Sequence, residues 1–470
     1  MIDQLKAVVG AAHCLTEADA RAKYETDVTG QMNGTARAVL RPGATAEVAE
    51  ILKIAQAEGC PVVPMGGNTG LAGGGYVGDN GHLVLSLERM NRIREINPTA
   101  RIAKVEAGVI LQNLHDAVEE QDLVFPLMFG ARGSCTIGGN LATNAGGSNV
   151  VRYGNTRALV LGVEAVLADG TIIQNMSELH KDNTGYDLRD LLIGSEGTLG
   201  VITAAVLKLV PRPKAYATGM VKVPEIGGAL SLLNRLQAAS GGGVEAFEYM
   251  PKRHFDILSE IAPELKLPFA EMGDTNIFIE VAATRDQDAE PDEDGTIGVQ
   301  SILMEALAEA MEDGSVLDAA IAQNEGQRAD MWRSREMAFE VAHSQGKPIA
   351  NDVALPLDQV DEFLTRADAR LEEVAPGSFP VVVGHLGDGN LHYTIVMPGG
   401  YDDALKERIV TSVEDVVAAL NGSFSAEHGI GVAKLGTMAR RKDPGALSAM
   451  RAIKAALDPK GILNPGKLLP

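Results

Sequence analysis

The sequence predicts a protein that mixes helices and strands over two or three domains, on three observations. The chain has 470 residues, against roughly 150 per domain. Amphipathic helical stretches are interspersed with short apolar runs of strand length. Three glycine-rich turns also fall within its first 200 residues. At 45% hydrophobic, 22% charged and a mean hydropathy of +0.02, the chain is ordinary for a globular protein and can bury a large core.

Composition bounds the function. Lys and Arg number 41 and Asp and Glu 63, so the net charge is 41 − 63 = −22. That argues against nucleic acid or an anionic membrane surface, which need basic clusters, as the main partner. It does not argue against an anionic small molecule, because a pocket can hold a local arginine. There is no transmembrane segment: no run of about 18 apolar residues occurs. Residues 1–14 lack the basic start and cleavage context of a secretory signal. Cys14, Cys60 and Cys135 are widely spaced and form no CxxC. That fits a reducing cytoplasm and argues against a disulfide scaffold or thiolate zinc site.

In chain order, residues 45–59 carry Val48, Ile51, Leu52 and Ala55 at helical spacing, with Gly59 as a stop. Strands are expected at 61–65, 82–87 and 102–109, with the first glycine loop, 66–75, between the first two. Residues 125–153 form a second, glycine- and asparagine-rich region. The runs 159–167 and 171–174 meet at Asp169-Gly170, a hairpin signal. A third glycine turn, 194–200, leads into 201–210. Pro211 and Pro213 then end a first domain, 1–212. Beyond it, helices at 226–239 and 302–312 alternate with strand-like runs at 276–282, 380–385 and 391–397. The acidic segment 286–295 reads as a solvated loop, and 446–457 as a helix.

Glycine loops let backbone N–H groups approach phosphate oxygens. The first loop lacks the GK[ST] ending of a mononucleotide P-loop. It also runs into a strand, where a dinucleotide fingerprint would open a helix. A large pyrophosphate-bearing ligand wrapped by several loops accounts for all three turns.

The Gly66-Gly67-Asn68-Thr69-Gly70-Leu71 loop, the 136–147 block with Tyr153-Gly154 beyond it, and Gly194-Ser195-Glu196-Gly197-Thr198-Leu199-Gly200 closely resemble the vanillyl-alcohol oxidase and p-cresol methylhydroxylase flavoprotein superfamily. The resemblance spans essentially the whole chain. It implies an α+β fold: a two-subdomain FAD-binding domain, an antiparallel-sheet substrate or cap domain over 213–424, and a C-terminal segment, 425–470, returning to the flavin. FAD contacts would come from Pro64, Gly66, Gly67, Asn68, Thr69, Gly70 and Leu71 in the first loop. The second would supply Ser134, Ile137, Gly138, Gly139, Ala142, Thr143 and Gly146. The third would supply Glu196, Gly197 and Ile202, with Asn464 from the C-terminal segment. The first loop holds no histidine, so the FAD is expected to be non-covalent.

The segment His385-Leu386-Gly387-Asp388-Gly389-Asn390-Leu391-His392 reads as a hairpin with Asp388-Gly389 at its corner. That register sets His385 directly opposite His392 on one face, with Cβ atoms about 4.5–5.5 Å apart, a spacing that suits two imidazoles on one metal. Metal sites usually need a third ligand, and Glu427 in Ser425-Ala426-Glu427-His428-Gly429 is the best candidate. These two motifs resemble the FAD-linked D-lactate and D-2-hydroxyglutarate dehydrogenases. The resemblance implies that His385, His392 and Glu427 bind a divalent metal, zinc or manganese, and that His428 is the catalytic base. A neutral imidazole suits proton abstraction from a hydroxyl.

A 2-hydroxy acid also needs a cation for its carboxylate. Of Arg333 and Arg335, the family pattern favours Arg335. Enzymes of the hydroxyglutarate type place a Lys where this chain has Ala350, a Thr where it has Phe339 and an Asn where it has Thr394. These departures point to a shorter or more apolar substrate such as D-lactate or D-2-hydroxybutyrate, with hydroxyglutarate and malate open. The resemblance further implies a quinone, a cytochrome or an electron-transfer flavoprotein as acceptor, and a homodimer is open. Alternative readings are an inactive flavin-binding subunit of a glycolate-oxidase-type complex and a flavin-free metallohydrolase.

Overall fold

Helix Thr45–Glu58 forms where the sequence spaces Val48, Ile51, Leu52 and Ala55 along one buried face, and Gly59 ends it in the left-handed conformation, φ 61°. In the computed structural model, which describes residues 1–79, 81–293 and 295–470, this helix shares a core with a four-stranded sheet. The sheet order is Cys14–Leu15, Ala38–Leu40, Leu83–Ser86, Val62–Met65. The last three strands run parallel, and they are continuous apolar runs, as strands covered on both faces must be. The C-terminal segment extends the sheet: Leu463 bridges Val62 in parallel, and Ile462 and Leu463 are buried in the same core.

A second, five-stranded antiparallel sheet belongs to the same unit. Its order is Ile93–Asn97, Ile102–Glu106, Val201–Lys208, Val160–Val166, Ile172–Asn175. The Asp169-Gly170 turn closes its last hairpin with Gly170 at φ 82°. Val166, Ala168 and Val201 from this region join the core under helix Thr45–Glu58. This first unit comprises Met1–Gly146, Gly154–Pro211 and Glu427–Pro470; the second comprises Gly147–Tyr153 and Arg212–Ala426.

The second unit is built on a seven-stranded antiparallel sheet. Its order is Asp318–Ile321, Ala215–Val223, Thr275–Ala283, Val244–Pro251, Phe379–His385, Asn390–Val396, Ile349–Ala354. Both faces are covered, and successive residues alternate between two cores. Ile277, Ile279, Val281, Val382, Tyr393 and Ile395 enter one core, which includes residues of helices Ile226–Ser240, Gly298–Glu312, Val360–Val374 and Asp403–Ala419. Met220, Ala246, Met250, Phe278, Val381 and Val383 enter the other, with residues of helices Lys252–Ile261, Glu325–Glu336 and Ala338–Ser344. Of the acidic segment 286–295, residues Asp286–Ala289 form a short helix, and Asp294 lies outside the described residues.

Helix Glu325–Glu336 is fixed to the sheet by a buried carboxylate. Glu280 accepts from Arg328 Nε and Nη2 at 2.7 and 2.9 Å, Trp332 Nε1 at 2.9 Å and Thr218 Oγ1 at 2.7 Å. Glu280→Ala would strand these donors against a closed core. It is expected to destabilise the second unit by about 3 kcal/mol, read as a lower denaturant midpoint at unchanged slope.

Candidate active site

The hairpin of the second unit forms with a wider corner than its sequence predicts. His385 pairs with Asn390 and Val383 with His392, where the expected register paired His385 with His392. Four residues, Leu386 to Gly389, make the turn; Gly389 adopts φ 81° and its N–H donates to His385 O at 3.1 Å. The difference is two residues, so it preserves the face. The histidines become diagonal neighbours with ring centroids 5.4 Å apart.

Strand parity places two carboxylates beside them. Glu248 is the cross-strand partner of His385, and Asp352 that of His392. Glu248 Oε1 lies 2.9 Å from His385 Nδ1, and its Oε2 accepts from Arg335 Nε at 2.6 Å. Burial pushes the Glu248 carboxyl up, but the His385 ring and Arg335 guanidinium outweigh it and hold it at about 2. The carboxylate occupies the Nδ1 side of His385, which leaves Nε2 as the ring nitrogen that could serve a metal. Asp352 Oδ1 lies 3.8 Å from His392 Nδ1 and accepts from Asn390 Nδ2 at 3.0 Å. Asp352 Oδ2 accepts from the Ala426 amide at 3.1 Å. Two imidazoles flanked by buried carboxylates are a donor set that fits a divalent metal.

Arg335 reaches this face from the helix that Glu280 anchors. A second contact fixes that helix: the His254 ring, wholly buried on the neighbouring helix, sits 2.8 Å from Ser334 O, and burial lowers its pKa to about 4. His254 is therefore a neutral structural histidine.

In the first unit, glycines of the first two loops stand where a side chain would collide with the neighbouring chain. A Cβ on Gly67 would lie 2.2 Å from Ser134 O, one on Gly66 2.4 Å from Thr136 Oγ1, and one on Gly138 2.6 Å from the Ala107 Cβ. Asn68 adopts φ 53°, and its Nδ2 donates to Thr26 O at 2.8 Å. Leu71 is exposed, and Ile202 is buried within its strand. Residues 137–143, read only as part of a glycine-rich region, form helix Ile137–Thr143 capped by Thr136. Gly197 packs on Pro64, 3.1 Å from a built Cβ to Pro64 Cγ. Asn464 Nδ2 donates to Gly74 O and Glu196 O at 3.0 and 2.7 Å, drawing the first loop, third loop and C-terminal segment together. Its Oδ1, and Ser195 Oγ, are buried without a partner. Orphaned polar atoms amid glycine-lined backbone fit a large polar cofactor such as FAD. Glu427 and His428 belong to this unit, and a Cβ on Gly146 would meet Glu427 Oε1 at 2.6 Å.

Comparison with known proteins agrees. Residues 212–468 match the family of FAD linked oxidases, C-terminal domain, and residues 36–175 match an FAD binding domain. The D-2-hydroxyglutarate dehydrogenase of Xanthomonas citri pv. viticola is 36% identical over 99% of this chain and 96% of its own. The chain belongs to the FAD-linked D-2-hydroxy-acid dehydrogenase family. The mitochondrial D-2-hydroxyglutarate dehydrogenase of Bos taurus is 38% identical to this dehydrogenase over 93% of the chain and 78% of its own length. The solved structure of p-cresol methylhydroxylase with substrate bound superposes at a TM-score of 0.74, with 17% identity, over 99% of this chain and 95% of that one. It shows the α+β fold. The protein is thus an FAD-dependent dehydrogenase of a 2-hydroxy acid. Among the described residues, no helix is long and apolar enough to cross a membrane.

Sequence reasoning did not find Glu248. Its signal was an acidic residue directly between two aromatics, Phe247 and Tyr249, a position that strands leave charged only when a partner waits. Glu248→Ala removes the buried carboxylate that Arg335 and His385 share and is expected to cost roughly 3–5 kcal/mol. Because the folded carboxyl titrates below its ordinary 4.5, its contribution is complete above that value and fades as pH falls toward about 2. The stability gap between the wild type and Glu248→Gln should therefore narrow across that window in acid titrations followed by circular dichroism.

Proposed function

We propose that this dehydrogenase oxidises a D-2-hydroxy acid with a short, uncharged side chain, such as D-lactate or D-2-hydroxybutyrate, with His428 as base and a divalent metal on His385, His392 and Glu427. The observation that carries the reading is the pair of histidines on one sheet face, each beside a buried carboxylate. Asp352 also holds the amide of Ala426, the last residue of the second unit.

Bound FAD supplies the acceptor for the C2 hydride, and a bound metal supplies Lewis-acid polarisation of the hydroxyl. The chain's own residues do the rest. Arg335 takes the substrate carboxylate with its terminal nitrogens, while the Nε contact to Glu248 fixes the guanidinium plane. His428 takes the hydroxyl proton as the C–H bond breaks. Successive residues project in different directions, so Glu427 can serve the metal while His428 serves the substrate.

The substrate assignment rests on the next rung of the sheet. Ala350 pairs directly with Thr394, two residues from Asp352 and His392 on the same face. Neither offers a positive charge to a distal carboxylate, and Phe339 is exposed and stacked on His343. The names of the relatives favour D-2-hydroxyglutarate as the second reading.

Anaerobic bleaching of the flavin by a panel of D- and L-2-hydroxy acids separates the two. D-lactate or D-2-hydroxybutyrate should give the highest kcat/KM, and chelator should suppress it; a preference for hydroxyglutarate selects the second reading. His428→Ala should keep its flavin spectrum but reduce the flavin about 10²–10⁴-fold more slowly. Rapid bleaching of that variant removes His428 from the chemistry.

A further inference from the structure

Glu196 was expected to touch the flavin, but its carboxylate is committed elsewhere. Oε1 accepts from the Ile430 amide and Oε2 from the Gly431 amide, both at 2.7 Å. The side chain is buried, and the residue holds φ 52°, a left-handed conformation uncommon outside glycine. Its own backbone is tied on both sides: its N–H donates to Ala142 O at 2.8 Å, and its C=O accepts from Asn464 Nδ2 at 2.7 Å.

The segment it grips is the one that follows His428. Gly429 and Gly431 adopt φ 75° and 50°. A Cβ on Gly429 would come within 2.7 Å of Glu196 Oε1, and one on Gly431 within 1.9 Å of Ala72 O. The Val432 and Ala433 amides both donate to Ala72 O, at 2.9 and 3.1 Å. The turn after His428 is thus pressed between the first and third glycine loops, and a bidentate carboxylate holds the two amides on its inner side.

We propose that Glu196 is a positioning residue: through the Ile430 and Gly431 amides it sets the placement of Glu427 and His428 against the cofactor loops. This rests on the roles given above to Glu427 and His428. A backbone turn rich in glycine has many accessible conformations, and two hydrogen bonds to one buried carboxyl remove that freedom where a ligand and a base must be held. The third glycine loop would then act by orienting the proton acceptor as well as by lining the cofactor cavity.

The test compares the wild type, Glu196→Gln and Glu196→Ala as flavin-loaded proteins, using hydrogen–deuterium exchange by mass spectrometry. Each lost bond is expected to speed exchange of the 429–433 amides by roughly tenfold, so Gln, which retains one acceptor, falls between wild type and Ala. Exchange in strand Val160–Val166 should stay unchanged. Flavin per chain should remain near that of wild type, metal should be lost faster on dialysis, and flavin reduction should slow through kcat with KM little altered. If Glu196→Ala does not accumulate in folded form, the exchange of Glu196→Gln decides alone. Unchanged exchange at 429–433 overturns the proposal, as does loss of flavin without faster exchange there, which would make Glu196 a cofactor ligand. The exchange contrast needs no substrate. A wild type that no hydroxy acid bleaches therefore defeats the functional reading while leaving this one to be judged separately.

Discussion

A carboxylate with 1% side-chain exposure organises the second unit's site. Desolvating an ion of this kind costs several kcal/mol, and Glu248 recovers that cost only while Arg335 and His385 stand at 2.6 and 2.9 Å. The three groups come from strand Val244–Pro251, helix Glu325–Glu336 and strand Phe379–His385. Displacing Glu248 or Arg335 leaves a buried charge unmatched, so the contact that seats His385 against Glu248 is coupled to folding.

The first unit solves a different problem. Its loops must present backbone dipoles to a cofactor, so side chains are removed where main chains meet. Gly66 and Gly67 lie so close to Thr136 and Ser134 that even a methyl group would collide, and the left-handed Asn68 and Asn144 serve as tight corners. The stabilisation here comes from many short amide contacts and from apolar strands on helix Thr45–Glu58.

Most of the fold was legible because its signals are local. Helix Thr45–Glu58 follows from four apolar positions and one glycine, and the Asp169-Gly170 turn from a dipeptide. The histidine pair was legible for the same reason, although its register was not. A turn dipeptide does not distinguish a two-residue corner from a four-residue one when Gly387 and Gly389 both stand in it. The two readings differ by an even number of residues, so the face survived the error. Glu248 was hidden because its partners lie 87 and 137 positions away, and no local pattern announces such a contact. Helix Ile137–Thr143 was hidden by its glycines, which disfavour a helix but are needed where Gly138 passes Ala107.

The chain contains one tryptophan, and its position gives it a use. Trp332 sits on the helix that delivers Arg335, with its indole N–H on Glu280 and its ring at the edge of Phe278, 4.6 Å between centroids. Ultraviolet emission from the indole therefore originates at a single known place, one helical turn from the residue assigned to the substrate. Any loosening of that helix, whether by denaturant, mutation or ligand, should alter its colour and quenching, so the molecule carries its own optical gauge of the arginine's seating.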